Sequence, residues 1–559
     1  MGANLFSSRP GAVLELLVTD DERPALLLAW RTMARLLASR LRWVDAETVV
    51  RAHSNGAQCF IAAPVDCLLT ATEVNEQAWF AAEKIVEGKS RLDLRDIVDR
   101  LQVHARHEAR PRLMALERET ARRSLTFTFD DDAVSLGAGT GSVTFPLGAL
   151  PIPDVVHWNA LHDIPVALVT GSNGKTTTTR LVAAMLAEAG HVTALTSTDG
   201  VWCAGQLVDG GDYSGPAGAR LALRDRRATA AVLETARGGL LRRGLATTRA
   251  TVSVVTRVAP DHMGEYGIHD IEALGEAKLI VARVVVPDGR VVLNADDPTL
   301  VARAGTVRAP ITWFSLHEAN ATVAAHIAAG GDACILRTGE LWAISPAGET
   351  SLGAAAEMPL TFGGAARYNI ANALAAAAAA LAMRVPVDAI RATLARFGRT
   401  PSDNPGRLSL LEYRGARIVV DFAHNPDGWL ALSHALRHVP AQRRIAVIGQ
   451  AGDRDDEALD ELAAAVWSEH PDMVILKELP KYLRGREPGD ITGRLADAFR
   501  ALDYPDQSLR HANGELAAVQ LAIAESRPGD LLILGVHSDY PGVMRALQEA
   551  GARVVSSFG

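Results

Sequence analysis

Cysteine, aromatic rings and clustered positive charge are all scarce in this sequence, and each shortage closes off a class of protein. The 559 residues include four cysteines, Cys59, Cys67, Cys203 and Cys334. They are scattered without the paired spacing of a zinc site or the density of a disulfide scaffold, so a reducing compartment is expected. Aromatic residues make up 5% of the chain and its net charge is −8. No Lys/Arg block interleaves with rings, which argues against a nucleic-acid partner. Residues 1–6 lack the Ser or Thr of a myristoylation signal, and no charged segment followed by an apolar one opens the chain. The longest bland apolar tract, 371–383, is Ala-dominated and too short to span a bilayer. A cytoplasmic protein without membrane contact is expected.

What is present is a folded composition, 48% apolar and 22% charged, at a length that calls for several domains. The informative stretch is VALVTGSNGKTTTTRLVAAMLAEAG at 166–190. An apolar β-branched run meets a small-residue turn, then Lys-Thr, then an Ala/Leu-rich segment with helical spacing. The pattern reads as strand, phosphate loop, helix. Backbone N–H groups of Gly171, Asn173 and Gly174 at a helix N-terminus converge on an anion; Lys175 adds a point charge, and the Thr176 and Thr177 hydroxyls lie where Mg²⁺ and phosphate would be met. Where the commonest phosphate loop begins with Gly this chain has Val169, so the loop is the shorter Gly-x-x-Gly-Lys-Thr form.

Around this loop the chain divides into three expected domains: 1–150, α+β and of unassigned role; 151–402, a central ATP-binding domain; and 403–559, a Rossmann-like domain. In the first, strands are predicted at 12–18 and 57–62, helices at 22–41, 70–86 and 93–119, and a β-meander at 125–145. His104 and His107 read there as a solvated helix face. In the second, strands at 166–169, 193–196, 230–233, 252–255 and 290–293 alternate with helical segments, implying a mostly parallel sheet with ligands at the carboxyl ends of its strands. Glu234 ends one strand, placed to hold Mg²⁺; Asp261 and His262 follow another; Lys278 lies on a helix predicted over 272–286. Asn294 opens a polar turn and Asn372 an Ala-rich helix, each amide suited to an adenine edge. A Pro/Ser/Asp/Asn cluster at 401–405 marks the next boundary. Beyond it, strands at 418–421, 445–448, 473–476 and 531–534 end in polar residues, among them Asp421, His424, Asn425, Asp453 and His537.

On these residues the chain resembles the Mur ligase superfamily: TGSNGKTT at 170–177, Glu234, Asp261-His262, Lys278, NADDP at 294–298, GxxRYNxxN at 364–372, Arg407 preceding Asp421, and DFAHNP at 421–426. Further tokens, TDGV at 198–201, GDYSGP at 211–216, LETARGG at 233–239, NPGR at 404–407 and GDRDDE at 452–457, are similar to the Mur-ligase-like half of cyanophycin synthetase. That family polymerises aspartate and adds arginine to its side-chain carboxyls, the Mur-like half doing the addition. No ATP-grasp half is recognisable before the phosphate loop, so the acceptor stays open.

The resemblance implies an α/β fold and an ATP-dependent amide ligase in which an acceptor carboxylate becomes an acyl phosphate and an amine opens it. Lys175, Glu234, His262 and Lys278 would be catalytic, with Thr176, Glu234 and His262 holding Mg²⁺ and Lys278 able to become a carbamate. Asn372, Arg407 and Asp421 would meet the nucleotide. Asp212, Ser214 and Arg237 are expected near the acceptor, and His424, Asn425 and Asp453 near the incoming amino acid. A homo-oligomer is expected, and the chain could work beside a separate ATP-grasp enzyme. Two alternatives remain: a ligase of another pathway, with a different amino acid and a small-molecule or peptide acceptor, or a nucleotide-binding partner without catalysis.

Overall fold

The computed structural model describes residues 2–19, 21, 23–44, 46–53, 56–88, 94–261 and 263–558. They form two units, one of Met1–Lys175, Ala189–Thr312 and Ala382–Arg384, the other of Thr176–Glu188, Trp313–Leu381 and Val385–Gly559.

The first unit opens with an antiparallel sheet ordered Gly11–Leu17, Gly56–Ala62, Thr48–His53. Its middle strand is buried at every position, and the helices Arg23–Arg40 and Leu68–Val86 supply the apolar side chains of a core around Trp30, Leu37, Ile61 and Val74. The edge strand Thr48–His53 has a mixed polar composition that escaped the period-two reading. The single helix expected over 93–119 is instead two, Leu94–Glu108 and Pro111–Arg122. Pro111 has no N–H for an i→i−4 bond and is accommodated at a first helical turn. Arg110 is accordingly extended, φ −126° and ψ 81°. The freed carboxylate of Glu108 accepts the Leu69 and Thr70 N–H groups at 2.8 Å each, capping the neighbouring helix. His104 pairs with Glu73 on a half-exposed surface.

The expected meander follows as Phe127–Phe129, Ala133–Leu136 and Val143–Pro146. Arg224 ties it to the rest of the unit, donating to Asp130 at 2.5 Å and to Ser135 Oγ at 2.8 Å. The principal sheet of the unit runs Gln206–Gly210, Gly200–Cys203, Thr193–Ser197, Ala230–Glu234, Val166–Thr170, Ala250–Val255, Val285–Asn294. The last five strands are parallel and the first two form an antiparallel hairpin edge. Continuous Val/Ala/Leu runs are what a parallel strand covered on both faces requires. The helix expected over 272–286 ends at Lys278; residues 279–284 tighten to 3₁₀ and Val285 already starts a strand.

In the second unit, Asp332–Arg337, Glu340–Ser345 and Gly348–Ala354 form an antiparallel meander. The Ala-rich tract lies in the helix Arg367–Ala382, whose residues 373–380 are all buried. Last comes a sheet ordered Leu509–Ala512, Met473–Lys477, Arg444–Ile448, Leu531–Gly535, Ala416–Asp421, Ser409–Tyr413, Arg553–Val554. Alternate residues enter separate cores on its two faces: Val419, Ala446, Val474 and Ile533 on one, Ile418, Val447, Ile475 and Leu532 on the other. This is the doubly wound arrangement, with helices on both faces. Among the described residues no helix is long and apolar enough to cross a membrane.

Candidate active site

In the first unit the parallel strands deliver their chemistry to one edge. Val166–Thr170 ends at Gly171 (φ +151°), and Gly174 follows with φ +85°. A Cβ at Gly171 would stand 1.9 Å from Thr256 Oγ1, so only glycine fits. The loop is clamped to the end of the adjoining strand. Ser172 N–H donates to Arg257 O at 2.8 Å, Ser172 Oγ to Ala259 O at 2.7 Å, and Thr256 Oγ1 to Asn173 O at 2.6 Å. Lys175 folds over the turn, donating to the Gly171 and Ser172 carbonyls at 3.0 Å each.

Glu234, 1% exposed, ends the strand on the other side of the loop, in register with Val169. Asn294 is engaged at both ends of its amide: Nδ2 donates to Thr256 O at 3.0 Å and Oδ1 accepts from Asp296 N–H at 2.9 Å. Asp297 takes the Val258 N–H at 2.6 Å and caps the helix beginning at Pro298, so a buried carboxylate shapes the segment leading to Asp261. His262 lies outside the described residues. Among those described, no three His, Cys, Asp or Glu side chains group as a metal site.

Lys278 is 3% exposed. Burial, followed by the positive field of Lys175, brings its pKa from 10.5 down to about 7, with Asp261 and Asp297 opposing and Arg237 assisting. Arg237 is itself buried and paired with Glu265. Asp212 Oδ1 accepts Ser214 Oγ at 2.6 Å and its N–H at 3.1 Å, shaping the turn before the helix Pro216–Arg224, and Ser214 O accepts Ala236 N–H at 2.7 Å. Lys175, Glu234, Arg237 and Ser214 thus belong to one strand edge and the segments that leave it, and Lys278, at the end of its helix, lies in the field of Lys175 and Arg237.

In the second unit, Arg407 reaches Thr176 Oγ1 at 3.4 Å and lies over the Phe422 ring, 4.2 Å from its centroid. Asn404 Nδ2 donates to Thr177 Oγ1 at 3.0 Å. Asp421 accepts the Leu408 and Ala423 N–H groups at 2.7 and 2.8 Å; burial raises its pKa, and the Arg407 charge and these bonds act against the rise. Burial likewise raises the Tyr368 phenol, with Asp421 adding to it. Asn372 Nδ2 donates to Asn369 Oδ1 at 3.1 Å.

Of the residues expected at the amine, Asn425 spends its side-chain oxygen on Gly428 N–H as a helix N-cap, and Asp453 pairs with Arg484. His424 stands beside Phe422, ring centroids 5.2 Å apart, and 6.5 Å from His537. Residue reading had not singled out Thr256, nor Glu515, which is buried behind His537. A hydroxyl at the end of a β-branched strand beside a phosphate loop was the available signal for Thr256; Glu515 had none.

The Mur ligase middle domain matches residues 169–380, and the Mur ligase glutamate ligase domain matches 406–535. UDP-N-acetylmuramoyl-L-alanyl-D-glutamate–2,6-diaminopimelate ligase of Synechococcus sp. is 30% identical over 392 residues, 66% of this chain and 72% of that protein. The chain belongs to the Mur ligase family. Within this family of enzymes, cyanophycin synthetase of Nostoc sp. is 42% identical over 374 residues, 66% of this chain but 41% of that protein. The chain therefore spans about two fifths of the length of the cyanophycin synthetases it matches. A bifunctional folylpolyglutamate synthase/dihydrofolate synthase structure shares the fold, with TM-score 0.50 and 20% identity over 69% of this chain and 89% of that one.

Proposed function

We propose that this Mur ligase family member is an ATP-dependent ligase that joins an amino acid to an acceptor carboxylate, with arginine or lysine added to an aspartyl carboxylate as the leading substrate pair. The observation that carries the reading is Lys175 and Glu234 at one strand edge beside a glycine turn with no room for a side chain, with the buried Lys278 in the field of Lys175. The 42% identity to a cyanophycin synthetase supports the substrate pair.

An acceptor carboxylate oxygen attacks the γ-phosphorus, the bond to the β-phosphate oxygen breaks, and ADP leaves. The amine nitrogen then attacks the acyl carbon, phosphate departs, and the nitrogen gives its surplus proton to water or a nearby base. Two anions meet in the first step, so cations dominate its energetics. Lys175 leaves its loop carbonyls for the β/γ-phosphates, and Arg407, braced on Phe422, contacts the nucleotide. Glu234, Thr176 and His262 are the residues that would hold Mg²⁺; a carboxylate and a hydroxyl are oxygen donors of the kind this ion takes, and when bound it would neutralise phosphate charge. The folylpolyglutamate synthase neighbour was solved with Mn, AMPPNP and L-glutamate bound. With its pKa near 7, Lys278 offers the neutral amine needed to take up CO₂ as a carbamate. A carbamate signal from ¹³C-bicarbonate that disappears in Lys278→Ala would establish it.

The deciding experiment measures ADP release with Mg²⁺-ATP across amino acids and acceptors, including polyaspartate, aspartyl peptides and muropeptide precursors, with Lys175→Ala as control. Release that requires arginine or lysine with an aspartyl acceptor, and is lost in the variant, establishes the reading. Release with another pair moves the pathway, a second reading favoured by the better length match to the diaminopimelate ligases, 72% against 41%. No release with any pair points to a nucleotide-binding partner of a separate ATP-grasp enzyme. A homo-oligomer belongs to the same proposal, and light scattering showing only monomer would remove it.

A further inference from the structure

Lys477, the last residue of the strand Met473–Lys477, is completely buried, and so is nearly all of Glu515, which begins the helix Glu515–Glu525. Lys477 Nζ donates to Glu515 Oε2 and to Gly535 O, the latter at 2.6 Å. The same carboxylate gathers the loop after the strand Leu531–Gly535. Oε2 accepts His537 N–H at 2.6 Å; Oε1 accepts Ser538 N–H at 2.9 Å, Asp539 N–H at 2.7 Å and Ser538 Oγ at 3.0 Å.

So held, His537 places Nε2 3.0 Å from Ala423 O and its ring 5.3 Å from that of Phe422, whose neighbour on the chain side is His424. Gly535 and Asp421 are paired in the parallel ladder, so this loop and the loop 422–425 leave the sheet side by side. A buried ion pair is a poor source of stability, since apolar residues of similar volume do as well or better. What apolar residues cannot do is accept three successive backbone N–H groups.

Resting on the ligase reading above, we propose that Glu515, anchored by Lys477, is a positioning residue for the incoming amino acid. It acts through His537 and fixes the wall that this loop makes with Phe422 and His424. Arg407, the residue expected to meet the nucleotide, lies over the same Phe422 ring.

The test compares wild type, Glu515→Gln, His537→Ala and the double variant, using the amino acid that supports ADP release in wild type. KM for that amino acid is measured alongside the Kd of a fluorescent ATP analogue. Glu515→Gln is expected to raise KM by about 10- to 100-fold, as a displaced positioning group does, with nucleotide Kd unchanged. Because the effect passes through His537, the double variant should be no worse than His537→Ala alone. Equal loss of nucleotide and amino acid binding, additive effects in the double variant, or a lowered melting temperature with unchanged KM would each overturn the proposal and leave the pair structural. Absence of turnover by wild type with every pair would overturn the ligase reading, and this inference with it. Wild-type turnover matched by Glu515→Gln would overturn the inference alone.

Discussion

Two buried lysines, one closing the helix Ile271–Lys278 and the other the strand Met473–Lys477, are both pushed toward the neutral form by burial, but their charged neighbours differ. Burial brings the Lys278 pKa to about 7 within a divided field, in which Lys175 and Arg237 push its proton off while Asp261 and Asp297 hold it. Lys477 has a dedicated carboxylate. Burial lowers the Lys477 pKa and Glu515 pulls the other way; burial would raise Glu515, but Lys477 and the loop N–H groups outweigh it and hold that carboxyl below its usual range. A lysine kept near its neutral form is suited to chemistry, and one locked to a carboxylate to architecture. The same buried residue type thus suits two ends, decided by the charged groups around it.

The largest effect that would break this comparison is loss of turnover. Lys278→Met should lower ADP release by about 10³-fold, the scale of removing a group aimed at developing charge, while raising the unfolding midpoint at pH 7. A loss of both activity and stability would make Lys278 architectural like Lys477. Next, Glu515→Leu leaves Lys477 buried without its carboxylate and should destabilise the protein by about 3–5 kcal/mol. Lys477→Met/Glu515→Leu should recover most of that in urea unfolding, although the loop at 537–539 loses its acceptor.

The pH dependence sharpens the contrast. Between pH 7 and 10.5 the unfolded chain keeps the Lys278 proton and the folded chain does not. Stability should therefore rise with pH there, by up to about 1.4 kcal/mol per unit. It is lost as pH falls through 7; Lys278→Met should remove this part of the limb and leave the part due to Lys477, whose lowered pKa acts in the same sense above about 8. Glu515, depressed from 4.5 to about 2, contributes stability that is present above 4.5 and disappears as pH falls through 2. Glu515→Gln should remove that part of the acid limb. The smallest effect is Ser538→Ala, which deletes one hydroxyl bond to Glu515 and should lower stability by about 0.5–1.5 kcal/mol.

The parts legible in the sequence are those written in consecutive residues. The strands ending at Thr170, Glu234 and Asp421 are unbroken apolar runs closed by polar residues, so both parallel sheets and the edge carrying the phosphate loop could be read directly. The hairpin Gly200–Cys203 and Gln206–Gly210 was not, because its second strand is exposed throughout and carries no buried period. Pro111 was passed over because the amphipathic spacing continues on either side of it. Asn425 shows the converse: inside a motif that reads as a ligand, its side-chain oxygen caps a helix. The Lys477–Glu515 pair joins residues 38 apart, through a contact that only the sheet order creates.

All four cysteines are free and buried. Burial pushes the Cys59, Cys67 and Cys334 thiols up to about 12 and Cys203 to about 11, so almost none is thiolate at neutral pH. Two cysteines introduced on the surface would therefore be the fast-reacting thiols in a maleimide reaction. Dye pairs could be attached to the otherwise native protein, and its internal distances followed during turnover, without first replacing any of the four.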